Sequence, residues 1–538
     1  MSTAISIFDT TLRDGTQGEG ISLSADDKLK IAKKLDTFGV HYIEGGNPGS
    51  NGKDIEFFKR AVNLNLRAKL TAFGSTRRKD SDATQDANLN RIVESGVKAA
   101  TLVGKSWDFH VHTALQTTLE ENLAMIYDSI AFLKRNHLEV IFDAEHFFDG
   151  YKNNPEYAVA VLKRAQEAGA DWVTMCDTNG GTLPSEVFDI VSNISNELTA
   201  KLSIHTHNDC ELAVANTLAA VQAGARQVQG TINGYGERCG NANLCSIIPN
   251  LQLKMGYNCI PEEQMSQLTN VSRYVSEIAN VLMPVNQAYV GNAAFAHKGG
   301  IHVSAIMRDS RTYEHIVPES VGNKQRVLVS ELAGQSNILS RAQDLGIELD
   351  SNNPLTKDVM GKIKDLEHQG YSFEGADASL ELLLRQANGE MTELFTLESF
   401  KMTVEKTADR PVVSEAIVKI RIDDESIYTV AEGNGPVNAL DNALRKALLQ
   451  HFPTLKDMHL SDYKVRVMDD QDATSAKVRV LIESTDFNNR WNTVGVSGNI
   501  IEASWEALVD SIRYALLGQT KVEGVPVPEP QRFGLVNH

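Results

Sequence analysis

SIHTHNDC, residues 203–210, closes a short apolar run with two histidines, and Asn208 and Asp209 follow at once. Side chains at i and i+2 of a strand point to the same side. His205 and His207 therefore face one object together, at the point where the strand should stop. What that object can be depends on how many other strands end beside this one.

Outward from this stretch, the hydrophobic period alternates through the first 240 residues. ISIF (5–8) reads as a strand. The helix SADDKLKIAKKLDTFG follows, with Ser24 as N-cap, Asp26 and Asp27 in the first turn, and Gly39 as the stop. Further strands are HYIE (41–44), AKLTAF (68–73), KAATLV (98–103), LEVIFDAE (138–145), DWVTMC (171–176), KLSIHT (201–206) and RQVQGTI (226–232). Helical patterns fall between them, near 84–95, 120–136, 155–168, 184–197 and 210–223. Eight strands with helices between them, in roughly 250 residues, predict an α/β fold of the (β/α)8 TIM-barrel type. A doubly wound open sheet is the competitor. The count of eight and the polar strand ends favour the barrel, whose chemistry sits where strands end and loops begin.

Beyond residue 270 the pattern changes. Residues 271–390 read as helical linker subdomains and contain the polar cluster AFAHKGGIHVSAIMRDSRTYEH. Residues 391–538 alternate as an α+β domain that repeats itself. YTVAEGNGPVNALDNALRKAL (428–448) lies over WNTVGVSGNIIEASWEALVDSIRYAL (491–516) at an offset of 64, with Thr429/Thr493, Ala439/Ala503, Ala443/Ala507 and Leu444/Leu508 coinciding. That predicts a duplicated ββα-like unit.

The 538-residue chain has 52 basic against 70 acidic residues, a net charge of −18. Such a balance argues against a general nucleic-acid binder, which needs a basic surface. The start, MSTAISIFDTTLRDG, has no basic and apolar signal pattern. The longest charge-free apolar stretch, near 278–296, contains Asn280, Pro284, Asn286, Gln287 and Asn292, so no membrane helix is expected there. Cys176, Cys210, Cys239, Cys245 and Cys259 form no CxxC pair, which fits a reduced, cytoplasmic protein.

The strand ends supply the candidate chemistry. Strand 1 leads to Arg13, Asp14 and Gln17; strand 5 to Asp143 and Glu145; strand 6 to Asp177 and Thr178; strand 7 to His205 and His207; strand 8 to Glu237, Arg238, Asn241 and Asn243. In a barrel these ends face one side. One aspartate and two histidines converging there suit a divalent metal with open positions. Alone, an HxH pair reads equally well as two histidines making ordinary hydrogen bonds. RDG alone reads as a turn with a surface ion pair. GGNPGSNG (45–52) reads as a loop, since it lacks the lysine of a P-loop.

FDTTLRDGTQ, HTHND, GYGERCGNANL and H-x-x-G-I-H (297–302), together with the duplicated C-terminal domain, resemble the α-isopropylmalate synthase/homocitrate synthase family. The resemblance covers essentially the whole chain. Within it, IEGGNPGSN and FGSTRRK are most similar to the branch whose acceptor is pyruvate and whose product is citramalate, a precursor of isoleucine. The resemblance implies a Claisen condensation of acetyl-CoA with a 2-oxo acid, followed by thioester hydrolysis. It implies metal ligands Asp14, His205 and His207, with Asn241 beside or among them. Arg13 would polarise the keto oxygen, Thr178 would bind the carboxylate, and Glu145 and His302 would handle protons, with Tyr313 nearby. Lys298 and Gly299 stand where the family usually has Glu-Ser. The resemblance also implies a homodimer, with isoleucine as the effector held by the C-terminal domain. A carboxylate with two imidazoles suits Mn, Mg, Zn, Co or Fe to different degrees and does not choose among them. The alternatives are 2-oxoisovalerate as acceptor, an acyl-CoA lyase or aldolase on a similar barrel, and a non-catalytic amino-acid sensor. The residues beyond the barrel weigh against the lyase, and the intact polar set weighs against the sensor.

Overall fold

The computed structural model describes residues 3–328, 335–347, 354–391, 393–409, 411–468, 476–486 and 489–517; residues 518–538, the end of the expected third domain, lie outside it. The chain divides into two compact units. The first runs to Phe295 and takes in Glu314–Gln325; the second comprises Ala296–Tyr313 and the chain from Arg326 on.

The first unit is a closed barrel of eight parallel strands in chain order. They are β1 (Ser6–Asp9), β2 (Tyr42–Gly46), β3 (Lys69–Ser75), β4 (Ala99–Lys105), β5 (Glu139–Glu145), β6 (Trp172–Asp177), β7 (Lys201–Thr206) and β8 (Gln227–Gly230). The period-2 alternation of each strand sorts its residues. Those facing out, such as Ile43, Ala72, Leu102, Phe142, Val173, Ile204 and Val228, form one core with the surrounding helices. Of those facing in, Phe8, Tyr42, Ala99, Ile141 and Trp172 plug the end where the strands begin. Most inward positions further along are polar, among them Glu44, Thr71, Thr101, Asp143, Thr174 and His205, and they open at the end where strands stop.

The helices are set by their termini. Helix Ala25–Phe38 starts on a capping box, Ser24 with Asp27, and ends at Gly39 with φ 98°. That left-handed conformation favours glycine. The 45–52 loop is pinned from beneath. Lys28, nearly sealed from solvent, pairs with the equally buried Asp54 and donates to the Gly45 carbonyl at 3.0 Å. Asp54 in turn accepts from the Asn47 amide at 2.8 Å. A Cβ on Gly46 would stand 2.3 Å from that carboxylate. The Asn47 N–H is thus spent within the protein, as expected of a loop rather than a phosphate cradle. Lys28→Met leaves Asp54 a buried, unpaired charge, and is expected to cost about 3–5 kcal/mol of stability in a denaturant titration. Adding Asp54→Leu should recover most of that loss.

In the second unit the helices Gln335–Asp344, Pro354–His368 and Asp377–Ala387 precede the duplicated region. The duplication is present, with one correction: each copy has three strands, not two. Thr396–Glu405, Val413–Ile422 and Glu425–Gly433 form an antiparallel sheet followed by helix Pro436–Leu448. His459–Val467, Val478–Thr485 and Arg490–Ser497 repeat it, followed by helix Ile500–Ala515. The aligned residues do the same work in both copies. Thr429 Oγ1 donates to the Ala443 carbonyl at 2.8 Å, and Thr493 Oγ1 to the Ala507 carbonyl at 2.7 Å. The small alanines let each helix lie close on its sheet, and both helices share one core.

Candidate active site and metal centre

Strand parity decides which polar residues meet. On β7, Ser203 and His205 face the barrel interior and His207 continues the same side, while the Thr206 hydroxyl bonds outward to Thr217 and the Ala213 carbonyl. On β5, Asp143 and Glu145 share the inner parity, as do Thr174 and Cys176 on β6 and Gln227 and Gln229 on β8. Asp177, grouped with the mouth residues from the sequence, has the opposite parity. It is buried outside the barrel, accepting from the Thr182 hydroxyl at 2.8 Å and from Asn216.

Asp14 reaches the mouth through the tight turn after β1, where the Arg13 and Gly15 amides both donate to the Thr10 carbonyl. Asn241 arrives by a different route. The chain after β8 folds back on the end of β7, bridging His207 with Asn241. The Asn208 amide donates to the Gly240 carbonyl at 2.9 Å. The reversal requires glycine: Gly236 and Gly240 have φ of 155° and 91°, and a Cβ on either would come within 2.1 Å of a neighbouring atom.

One donor atom each from Asp14, His205 and His207 lies within 4.8 Å of the others, and all three residues are buried. Nε2 of His205 is 3.4 Å from Asp14 Oδ2 and 3.2 Å from Nε2 of His207. Burial would push the Asp14 carboxyl up, but Arg13, with His205 and His207 after it, holds it below the usual carboxylate range. Burial pushes His205 down, and burial together with His205 brings His207 to about 4. Near pH 7 the site therefore presents a carboxylate and two neutral imidazoles, the protonation states a metal needs. Asp14 Oδ1 and Asn241 Oδ1 are buried without a hydrogen-bond partner. Asn241 spends its nitrogen on the Tyr235 carbonyl, so its oxygen remains for a cation. Donor types, neutral rings and orphaned oxygens together fit a divalent ion.

Arg13 lies on the rim of this cluster. Its Nε donates to Glu44 at 2.7 Å, its Nη1 stands 3.2 Å from Asp14, and its guanidinium covers the Phe73 ring at 4.0 Å. Glu44 is fully buried and also accepts from the Thr10 hydroxyl at 2.6 Å. Asp143 is pushed up to about 7, by burial first and then by the Glu44 charge. Burial, with Asp143 and Glu145 nearby, keeps Cys176 a protonated thiol. At the ends of β4 and β5, Lys105 pairs with Glu145. The Thr178 hydroxyl accepts from the His146 amide at 2.9 Å. His302 and Tyr313 belong to the second unit, where their rings stack with centroids 4.1 Å apart. Lys298, the departure noted in the sequence, pairs with Glu374 in that unit.

The structure thus brings Arg13, Asp14, His205, His207 and Asn241 together and stands Glu145 and Thr178 at neighbouring strand ends. Sequence reasoning missed Glu44, Lys105 and Gln229. Gln229 had a visible signal: RQVQGTI places two glutamines at i and i+2 in an otherwise apolar strand, the same spacing as His205 and His207.

Three family models match successive parts of the chain: HMGL-like over residues 4–275, homocitrate synthase post-HMGL domain-like over 289–371, and LeuA allosteric (dimerisation) domain over 374–516. The chain is 54% identical to the (R)-citramalate synthase of Aquifex aeolicus, covering 98% of this chain and 100% of that one. It is equally 54% identical to the enzyme of the same name from Geobacter sulfurreducens, over 97% and 99% of the two chains. The chain belongs to the (R)-citramalate synthase family. A 2-isopropylmalate synthase from Methanocaldococcus jannaschii is 33% identical over 96% of this chain and 95% of its own. Kinship to these two citramalate synthases is therefore much nearer than to that 2-isopropylmalate synthase. It agrees with the branch suggested by residues 41–52 and 73–79.

Proposed function

We propose that this protein condenses acetyl-CoA with pyruvate and hydrolyses the thioester, giving (R)-citramalate and CoA. The observation that carries the reading is the buried Asp14, His205 and His207 cluster with Arg13 on its rim, in a chain of the citramalate synthase family. A divalent ion held by Asp14, His205, His207 and Asn241 would supply a Lewis acid for the carboxylate and keto oxygens of the 2-oxo acid. Arg13 donates to the keto oxygen and stabilises the negative charge that develops there as the new carbon–carbon bond forms. Thr178 donates its hydroxyl proton to the carboxylate. His302 is the base that takes the methyl proton of acetyl-CoA, Glu145 is the second member of the acid/base machinery, and Tyr313, stacked on His302, orients that ring. Water then cleaves the thioester, which makes the sequence effectively irreversible.

In this reading residues 1–270 carry the metal centre, 271–390 link and supply His302 and Tyr313, and 391–538 pair two chains as a homodimer and hold the effector, in the cytoplasm. Among the described residues no helix is long and apolar enough to cross a membrane. Isoleucine, the end product, is the proposed effector. Its site lies in a different domain from the barrel, so inhibition requires two states of unequal affinity, a coupling typically worth about 5–150-fold. Isoleucine is expected to lower the steady-state rate while leucine does not; a response to leucine alone contradicts the assignment. Substitution is a sounder probe of this than truncation, because Phe373, Leu380 and Leu384 share a core with Val494 and Val496.

The activity is tested by following free thiol. Release of CoA from acetyl-CoA that depends on pyruvate supports the synthase. Efficient formation of pyruvate from citramalate and CoA supports the lyase reading instead.

A further inference from the structure

Gln229 is wholly buried on β8 and uses both ends of its amide. Its nitrogen donates to Asp143 Oδ1 at 2.9 Å and to Thr174 Oγ1 at 3.2 Å. Its oxygen lies 3.0 Å from Nδ1 of His205. With the two N–H groups spent on Asp143 and Thr174, only an acceptor is left for His205, so the imidazole is the donor and carries its proton on Nδ1. Nε2 is then the lone-pair nitrogen, and it is the atom that faces Asp14 and His207.

We infer that Gln229 is a positioning residue of the metal centre, fixing both the tautomer and the ring rotation of His205. The inference rests on the metal reading above. Burial alone does not explain the arrangement. Gln227, two residues earlier and equally buried, has neither amide atom partnered. Polar side chains inside this barrel are thus not automatically satisfied, and the three bonds of Gln229 are particular to it. A ring freed of this bond can turn or carry its proton on Nε2, and either change removes a ligand.

The test is calorimetric titration of the chelator-treated full chain with Mn2+. Gln229→Met, close in volume but without the acceptor, is expected to weaken binding 10–100-fold. Gln229→Glu, whose carboxylate accepts the same Nδ1–H while its second oxygen shares a proton with Asp143, is expected to recover most of the loss, and Gln227→Met is expected to bind as the native chain does. Melting of the metal-free forms by circular dichroism checks that each is folded. Native affinity in Gln229→Met overturns the inference, as does an equal loss in Gln227→Met. Should Gln229→Met fail to fold, loss of binding in Gln229→Glu overturns it. A native chain that takes up no divalent ion overturns the metal reading itself and this inference with it.

Discussion

Asp14→Ala is expected to leave a folded chain without measurable condensation. Asp14 is the one anionic donor of the cluster; His205 and His207 are neutral, burial being the first cause. Without it, two imidazoles and an amide oxygen are left beside the Arg13 guanidinium, which repels a cation. A bound metal ion contributes several kcal/mol of transition-state charge stabilisation. At 1.36 kcal/mol per tenfold, a loss of about 4 kcal/mol already lowers the rate by about a thousandfold. The fold should survive, because Arg13 keeps Glu44 as its closer partner and a buried carboxylate has been removed rather than left unpaired. Thiol release at saturating Mn2+, with Mn2+ titration of the same sample, checks both halves. Near-native turnover in the presence of chelator would remove the metal from the mechanism.

Arg13→Lys is expected to lower kcat by about 10²–10³-fold, the range seen when a single donor to a developing oxyanion is removed. The guanidinium serves three directions at once: Glu44 through Nε, Asp14 through Nη1, and the substrate oxygen through what remains of its fork. A lysine ammonium is a point charge on a flexible stem and cannot hold that geometry. Arg13→Gln should lose as much rate and also stability, since Glu44 then keeps only the Thr10 hydroxyl as a partner. Rate and denaturation measured on both variants separate the two roles. Equal kcat in the native chain and Arg13→Lys would show that Arg13 acts only as a structural charge.

The barrel was legible because its strands are short, strongly periodic and separated by well-capped helices. Ser24 and Gly39 mark the first helix in sequence and in structure alike. His205 and His207 were legible for a stricter reason: two ligands at i and i+2 must share a face, whatever the rest of the fold does. Glu44 was not, because a single acid at the end of HYIE looks like any solvated strand end until β1 is seen to place Arg13 beside it. Lys105 stands one step past the apolar part of its strand and resembles a surface cation. The alternation of FKMTVEK and YKVRVMD, in the first strand of each C-terminal copy, was legible, but the aligned repeat begins only at Tyr428 and Trp491, so those strands stayed outside the repeated unit. Thr396–Glu405 alternates between half-buried and exposed positions, with no fully buried residue to mark the inner face.

The central claim is the acceptor. It is tested most directly by kcat/KM for a panel of 2-oxo acids with acetyl-CoA. One extra methylene in a shaped pocket is worth about 1–3 kcal/mol, or roughly 10–200-fold. Pyruvate is expected to be the best acceptor, with 2-oxobutyrate slower by about that factor and 2-oxoisovalerate poorer still. A higher kcat/KM for 2-oxoisovalerate than for pyruvate would contradict the account and move the chain to the leucine-forming reaction with the same metal chemistry.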